Sequence, residues 1–237
     1  MARGLIATSI SRHENDRPLF ESISLEVLPA SVSVVIGPSG AGKSSLMRAM
    51  SMVAPPSSGT IALDDETLTS HRTGADSIWP RITLVFQQQF LWPHLSLWEN
   101  VCLAGQGSKR WREEAAREML KRLGVDSVLG RRPHMASVGE RQRVALVRGA
   151  ALRPDYLLLY EPTSSLDVET AAIVVTLVRE WRASGMGLLV STHSLGLARS
   201  LADRVYFLDR GECVESGTAS ILEQPLSHRL RQFLLLG

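Results

Sequence analysis

The sequence predicts an α/β fold in which helices cover both faces of a parallel β-sheet core. Tyr156–Tyr160 and Gly187–Thr192 are short apolar runs typical of buried strands. Between them, Val168–Ser184 has a helical pattern that Gly185 ends. Strands that alternate with helices are typical of a parallel sheet, because each helix carries the chain back to the same edge. A further apolar, β-branched run opens the segment Val32–Leu46 and passes into a glycine-rich turn and a helical pattern.

That glycine-rich turn matches the phosphate-loop pattern G-x-x-x-x-G-K-[ST] at every fixed position, from Gly37 to Ser44. Small residues at a helix N-terminus can direct several backbone N–H groups at phosphate oxygens, and the helix dipole favours negative charge there. Lys43 can then reach the β- and γ-phosphates, and the Ser44 hydroxyl can bind Mg²⁺. The strand pattern before the turn and the helix pattern after it oppose a chance match. The predicted nucleotide-binding residues are Gly37, Pro38, Ser39, Gly40, Ala41, Gly42, Lys43, Ser44 and Ser45.

The charge of the chain is nearly balanced. Its 237 residues include 26 Lys+Arg and 24 Asp+Glu, which gives a formal net charge of +2 at pH 7. A nucleic-acid-binding domain usually carries a strong basic field, so we expect no nucleic-acid partner. Arginines cluster between Arg110 and Arg153, but acidic residues are interleaved within Trp111–Arg122, which favours a solvated helical face.

Cysteine spacing and hydropathy exclude further classes. Cys102 and Cys213 have neither a C-x-x-C spacing nor a nearby histidine pair, so we expect no disulfide framework and no cysteine metal site. Two isolated thiols suit a reducing cytosol. No apolar run approaches the roughly 20 residues that span a bilayer, and the N-terminus lacks the apolar core of a signal peptide. We therefore expect any work at a membrane to depend on a partner.

Short strands are predicted on both sides of the phosphate loop. Leu5–Ala7 and Ile23–Val27 are typical of short strands and are separated by a polar turn region at His13–Pro18, so they can form a small sheet beside the loop. After the loop helix, Thr60–Leu63 and Ile82–Phe86 are further strand candidates.

The middle of the chain has helical patterns instead. Apolar residues recur every four positions before Gly124, which predicts an amphipathic helix on the surface of a helical region. They are Trp111, Ala115, Met119 and Leu123. A second helix is predicted after Gly139, ending before Pro154. We therefore predict one domain, 1–237, in which a helical subdomain (about 89–153) interrupts a nucleotide core (about 1–88 and 154–237).

Further motifs follow the phosphate loop in order: VFQQQFLWPHLSLWENV, ASVGERQRVALVRGA, LLLYEPTSSLD and VSTHS. With these motifs the chain resembles the ATP-binding subunit of ABC transporters over nearly its whole length. The resemblance implies a P-loop NTPase fold of the ABC ATPase type, with a parallel-sheet core, an N-terminal antiparallel β subdomain and a helical subdomain that carries the signature motif. It also implies ATP and Mg²⁺ as cofactors.

The resemblance assigns catalytic roles to three residues. Gln87 matches the Q-loop glutamine, which touches Mg²⁺ and the attacking water, and an amide with both a donor and an acceptor suits that role. Ser44 and Gln87 are thus the implied metal ligands. Glu161 matches the glutamate that acts as general base towards the attacking water, and His193 matches the switch histidine that contacts the γ-phosphate.

The resemblance also implies a dimer in which two subunits sandwich two ATP molecules. Each ATP lies between the phosphate loop of one subunit and the signature segment of the other. Asp167 in SSLD resembles the D-loop aspartate, which couples the two sites. The implied nucleotide contacts from the signature are Ser137, Gly139 and Glu140.

Two positions depart from the family pattern in ways that bear on turnover. The signature is usually L-S-G-G-Q or L-S-G-G-E, and here Val138 replaces a glycine, so we expect backbone strain if that position needs a positive φ. Tyr160 stands where the family has the Walker B aspartate that holds Mg²⁺. A phenol is neutral near pH 7, so we expect weakened Mg²⁺ binding and slow hydrolysis, with ATP binding partly kept.

A third departure concerns the adenine ring. The family usually places an aromatic residue in the turn after the first strand, and this chain has SRHEND. His13 is the first candidate to stack on the base. Arg12 could stack in a similar way, and a solvent-exposed turn without ligand contact is an equal alternative.

Three functions remain in competition. The first is an importer subunit that couples ATP hydrolysis to uptake, and FQQQFLWPHLSLWENV with the short C-terminal tail most resembles subunits for polar amino acids. Its implied partners are transmembrane permease subunits, a second ATP-binding subunit and, indirectly, an extracytoplasmic solute-binding protein, with the chain on the cytoplasmic face of the membrane. The second is a nucleotide-binding regulatory subunit with little turnover, paired with an active homologue. The third, a soluble ABC protein of DNA repair or translation, is disfavoured by the near-neutral charge.

Overall fold

Two β-sheets organise the chain, for which the computed structural model describes residues 4–15, 17–68, 78–104 and 109–236. The strands are β1 (Leu5–Glu14), β2 (Arg17–Val27), β3 (Val32–Ile36), β4 (Ser58–Leu63), β5 (Glu66–Leu68), β6 (Ile82–Val85), β7 (Tyr156–Tyr160), β8 (Gly187–Thr192), β9 (Arg204–Asp209) and β10 (Glu212–Thr218). The α-helices are α1 (Lys43–Met50), α2 (Leu97–Ala104), α3 (Lys109–Arg122), α4 (Val138–Ala151), α5 (Val168–Ala183), α6 (Leu195–Leu201) and α7 (His228–Leu236). Short 3₁₀ turns occupy Asp126–Val128, Pro133–Met135 and Ala219–Leu222.

The larger sheet has the strand order β10-β9-β3-β8-β7-β6. Its strands from β9 to β6 are parallel, and β10 joins the edge as an antiparallel hairpin partner of β9. Strands β3, β8 and β7 lie side by side, so the residues that follow their carboxyl ends meet at one edge of the sheet. The predicted parallel core is confirmed, and the same arrangement places the phosphate loop beside the residues after β7 and β8.

Helices cover both faces of this sheet. Alternate strand residues pack against α4, α5 and α6 on one face, through side chains such as Leu157 and Val190. The opposite residues, such as Leu158 and Leu189, pack against α1 and the smaller sheet. Strands buried on both faces explain why these runs are continuously apolar in the sequence.

The smaller sheet is antiparallel, with the order β2-β1-β4-β5, and confirms the predicted N-terminal β subdomain. Its first two strands are longer than predicted, because β1 and β2 pair from Leu5↔Val27 to Glu14↔Arg17. The polar stretch expected to form a turn at 13–18 is therefore mostly strand. One face of this hairpin is exposed, and polar residues are tolerated there.

The middle of the chain is helical, as predicted, with two local corrections. Helix α3 buries Ala116 and Leu120, each one position after a predicted residue, whereas Leu123, just after the helix, is buried as predicted. The side chain of Trp111 lies outside the described residues. Helix α4 begins at Val138, one residue before Gly139. Across the described ranges, the structure contains no helix that is both long and apolar enough to cross a membrane.

Candidate functional site

A cavity of about 270 Å³ opens at the carboxyl edge of the larger sheet. Its lining joins six residues of the phosphate loop to residues that follow β6, β7 and β8. The lining residues are Ser39, Gly40, Ala41, Gly42, Lys43, Ser44, Gln87, Tyr160, Glu161, Ser164 and His193. Folding thus brings the three predicted catalytic residues to the phosphate loop, although they lie far apart in the sequence.

The phosphate loop holds its lysine ready for a negative charge. The Lys43 ammonium donates to the carbonyl oxygens of Gly37 (2.7 Å) and Pro38 (2.9 Å), and the residue is 6% exposed. Burial lowers the pKa of Lys43, and the nearby Glu161 carboxylate partly opposes that shift. Two carbonyls give the cation only partial compensation, so phosphate oxygens would be better partners.

The loop is fixed from outside by the smaller sheet and by the β9–β10 turn. Gly42 has φ +96°, and a Cβ there would lie 2.7 Å from the carbonyl oxygen of Leu19 in β2. The N–H of Gly211 donates to the Ala41 carbonyl (3.2 Å), and the Gly211 carbonyl accepts from the N–H of Glu21 (2.8 Å). The shape of the loop therefore depends on contacts from two distant parts of the chain.

Glu161 is held rigidly where β7 ends. Its φ of +47° is in the left-handed region, which is uncommon for a residue other than glycine. Its N–H donates to the Ser191 carbonyl (2.8 Å), while its own carbonyl accepts from Gln142 Nε2 (2.9 Å) and Ser164 Oγ (3.1 Å). Its side chain is 8% exposed and lies 3.0 Å from His193 Nδ1. The backbone therefore fixes the carboxylate at the cavity wall.

The remaining two catalytic candidates are more accessible. The His193 side chain is 66% exposed, with Nδ1 directed at Glu161. Gln87 is exposed on the segment after β6, and its carbonyl accepts from Gln89 Nε2 (3.1 Å). Both can reach a ligand at the cavity mouth without moving the sheet.

Tyr160 occupies the wall beside the loop serine. It is partly buried at the end of β7 and lines the cavity together with Ser44. Burial raises the pKa of the Tyr160 phenol, and the Glu161 carboxylate raises it further. The phenol is thus neutral near pH 7. Within the described ranges, no group of three or more His, Cys, Asp or Glu side chains is arranged to hold a metal ion.

The signature residues lie apart from this cavity. Ser137 caps α4, with its Oγ accepting from the Glu140 N–H (3.2 Å) and its N–H donating to Glu140 Oε2 (2.6 Å). Val138 is the first residue of the helix and is not among the residues with positive φ, so the condition under which strain was expected is not met. Helical φ and ψ angles are allowed for valine, so this position does not require a glycine. Gly139 faces the Ser165 carbonyl, at 3.1 Å from an added Cβ.

Asp167 and His13 are also outside the cavity lining. Asp167 caps α5, with Oδ1 accepting from the Thr170 N–H (2.8 Å). His13 lies within β1 rather than in a turn, and its Nε2 is 3.4 Å from Glu21 Oε1. The adenine-stacking role of His13 stays a prediction.

Sequence reasoning missed two residues that shape the site. Gln142 is a buried polar residue of α4 whose amide supports the Glu161 backbone. Ser164 lines the cavity and donates to the same carbonyl. The signal for Gln142 was a glutamine on the helix face that also carries Ala145 and Leu146, but only the tertiary fold reveals which carbonyl it meets.

Comparison with known proteins agrees with this geometry. A family model described as ABC transporter matches residues 20–164. The chain is 35% identical to the arginine transport ATP-binding protein ArtM of Bacillus subtilis, covering 97% of this chain and 96% of ArtM. It is 37% identical to the glutamate/aspartate import ATP-binding protein GltL of Escherichia coli, covering 89% of this chain and 90% of GltL.

Among solved structures, the fold is similar to that of the dimeric ATP-binding cassette MJ0796 bound to ADP and Pi, with a TM-score of 0.81. The two sequences are 24% identical, and the match covers 91% of this chain and 98% of that chain. The similarity to that structure supports the fold alone. The family match and the close relatives cover most of the sequence. The chain therefore belongs to the ABC transporter family, as one of its ATPase subunits.

Proposed function

We propose that this chain couples ATP binding and hydrolysis to the import of polar amino acids through separate transmembrane subunits, and that Tyr160 makes its turnover slow. The observation that carries the proposal is the single cavity in which Lys43, Glu161 and His193 meet. The transported class follows from the relatives, which are named for arginine and for glutamate/aspartate.

The residues of the cavity suit phosphoryl transfer to water. Backbone N–H groups of the loop and the Lys43 ammonium would hold the β- and γ-phosphates. A Glu161 oxygen would take the proton of the attacking water as general base, since it lies at the wall in a buried, fixed position. His193, held beside that carboxylate, would donate to the γ-phosphate side of the site.

Mg²⁺ is the proposed cofactor, and Ser44 and Gln87 would hold it. Both side chains lie in the cavity lining and supply neutral oxygens. When bound, the ion would neutralise phosphate charge. Tyr160, which lines the cavity beside Ser44, offers a neutral phenol and no carboxylate to the ion. We infer from this that the ion is held weakly and that hydrolysis is slow.

A second ATP-binding subunit is part of the proposal. Ser137, Gly139 and Glu140 do not line the cavity of their own chain, so they are free to face the nucleotide of another subunit. The nucleotide-contact role of the signature, and the coupling role of Asp167, both depend on that second subunit. Either a second copy or a homologue would satisfy this geometry.

The permease would dock beside Gln87. A groove of about 590 Å³ lies there, and apolar side chains along it are unusually exposed for aromatic and aliphatic residues. They are Trp79 (44%), Phe90 (57%), Trp92 (39%) and Leu103 (62%). An amphipathic segment of a membrane subunit fits such a groove, which would hold the chain on the cytoplasmic face of the membrane. A solute-binding protein would act through the permease on the other side.

The alternative is a regulatory nucleotide-binding subunit with little turnover, favoured by Tyr160 alone. ATP binding and phosphate release should be measured with and without Mg²⁺, for the unmodified chain and for Tyr160→Asp. Tyr160→Phe is the matched control, because it keeps the ring and removes the hydroxyl. The test is repeated with the membrane subunits present.

We expect ATP binding with slow release, and faster Mg²⁺-dependent release in Tyr160→Asp only. Rapid release from the unmodified chain would contradict the proposed role of Tyr160. If release from Tyr160→Asp is not stimulated by membrane subunits, the regulatory alternative gains support.

A further inference from the structure

Arg148, a half-buried residue of α4, makes an uncommon set of contacts for a cation. Its Nη1 donates to the Phe90 carbonyl (2.9 Å) and its Nη2 to the Gln89 carbonyl (3.0 Å). The guanidinium also lies 5.2 Å from the centre of the Trp92 ring. No carboxylate among the described residues pairs with it, and burial lowers the pKa of Arg148. A half-buried charge still loses part of its hydration, so the two carbonyl contacts compensate a cost and point to a specific task.

Those carbonyls belong to the segment that carries Gln87. The segment is tightly folded, since Gln89 Nε2 donates to the Gln87 carbonyl (3.1 Å) and the rings of Phe86 and Phe90 meet edge to face at 5.1 Å. Phe90 has φ +43°, which is unfavourable for a bulky aromatic residue. An outside contact is therefore needed to keep this shape, and Arg148 supplies it.

The same helix also supports the backbone of Glu161, which lines the cavity. Gln142, six residues earlier in α4, donates to the Glu161 carbonyl (2.9 Å). Six residues of helix span roughly 9 Å. Next to Arg148, Gly149 lies so close to β6 that an added Cβ would be 2.6 Å from Val85 Cγ2. Helix α4 is thus packed against the strand that leads to Gln87, and it donates to backbone carbonyls in the segments that follow β6 and β7.

We infer that Arg148 is a positioning residue: its guanidinium holds the segment 87–90 so that Gln87 faces the cavity, with α4 as the rigid link to Glu161. This inference rests on the proposed function in one respect, because the role of Gln87 in ATP hydrolysis belongs to that proposal. The planar fork sets the spacing and direction of the two bonds, whereas the rotatable ammonium of a lysine could meet these carbonyls without fixing their relative orientation.

Hydrogen–deuterium exchange tests the positioning without requiring turnover. We expect Arg148→Met to raise exchange of the backbone amides in 87–92 by at least about tenfold, with the ATP dissociation constant within about threefold of the unmodified chain. Arg148→Lys should give most of the same increase, since it keeps the charge and loses the fork. Arg122→Met is the matched control, because Arg122 donates to Glu180 through two bonds of 2.8 Å away from this segment.

Unchanged exchange in 87–92, or the same increase in Arg122→Met, would overturn the inference. An increase spread evenly over the whole chain would also overturn it, because a general loss of stability explains that result. If Arg148→Met fails to fold, Arg148→Lys carries the same test.

A second measurement separates this inference from the proposed function. In a Tyr160→Asp background, Arg148→Met should lower kcat for phosphate release by about tenfold and leave KM for ATP nearly unchanged. If exchange in 87–92 changes and kcat does not, Arg148 stabilises the local fold without affecting turnover, and the proposed effect on Gln87 is refuted. Absence of any turnover in the Tyr160→Asp background would instead count against the proposed function, while the exchange result still decides the positioning.

Discussion

The Nδ1 atom of His193 lies 3.0 Å from Oε2 of Glu161, yet the two side chains differ sharply in exposure, at 66% and 8%. The carboxylate is therefore fixed by buried backbone contacts, while the imidazole is open to the cavity mouth. A ligand can displace or reorient the histidine without disturbing the glutamate. This asymmetry suits a base that stays in place and a contact residue that responds to the nucleotide.

Replacing the carboxylate tests its assignment as base. We expect Glu161→Gln to reduce phosphate release at least about 100-fold, because the amide keeps the size of the side chain and cannot accept a proton near pH 7. ATP affinity should stay within about threefold, since the phosphate loop is untouched. Release is measured in the unmodified and Tyr160→Asp backgrounds, with His193→Ala as a comparison expected to lose less. Equal release by Glu161→Gln and its parent would rule out this base.

Removing Mg²⁺ tests the consequence of Tyr160 beside Ser44 for binding. We expect EDTA to change the ATP dissociation constant of the unmodified chain by less than about threefold, because Tyr160 supplies no metal ligand. In Tyr160→Asp the same removal should weaken binding by about tenfold or more. The measurement is a calorimetric titration of each protein with ATP. Loss of ATP binding by the unmodified chain in EDTA would contradict the expectation.

Two glycines of the phosphate loop form a matched pair for testing its rigidity. Both have positive φ, +96° at Gly42 and +78° at Gly40, but an added Cβ meets the Leu19 carbonyl oxygen at 2.7 Å in the first case and no atom within 4 Å in the second. We expect Gly40→Ala to cost about 1 kcal/mol of unfolding free energy through backbone strain alone. Gly42→Ala should cost about 2 kcal/mol or more and weaken ATP binding. Urea unfolding and ATP titration check both, and equal losses would mean that the contact with β2 is unimportant.

Truncating the cap of α4 tests where the signature acts. We expect Ser137→Ala to lower the unfolding free energy by about 1 kcal/mol, because the Glu140 N–H loses its acceptor. Glu140→Gln is the control, since glutamine can complete the same capping box. ATP affinity of the isolated subunit should not change in either variant, because neither residue lines the cavity. A weaker affinity in Ser137→Ala would show that the signature acts within its own chain.

Local patterns predicted much of this fold, and long-range contacts account for what they missed. Runs such as Tyr156–Tyr160 could be recognised as strands because burial on both faces makes them continuously apolar. The edge strand β10 alternates between partly buried and exposed residues and carries no strong signal. The sequence left the φ of Val138 open, and the cap supplied by Ser137 is what places Val138 in the helix.

Like the fold, the candidate site has one part that local patterns predict and another that depends on long-range contacts. The phosphate loop was visible as a motif because its backbone geometry demands glycines at fixed spacing. The roles of Gln142 and Arg148 depend on carbonyl oxygens of residues distant along the chain, at Glu161 and Phe90. No spacing rule connects a helix side chain to a carbonyl in another segment, so only the folded structure could identify them.

The turn between β9 and β10 has a consequence for protein engineering. Arg210 and Gly211 form a two-residue hairpin turn with φ of +49° and +82°, the type of surface loop that commonly accepts a tag or an inserted domain. Here the backbone of Gly211 is hydrogen-bonded to Ala41 in the phosphate loop and to Glu21 in β2. An insertion at this turn would separate those contacts, so a fluorescent reporter placed there would alter the nucleotide site that it was meant to observe.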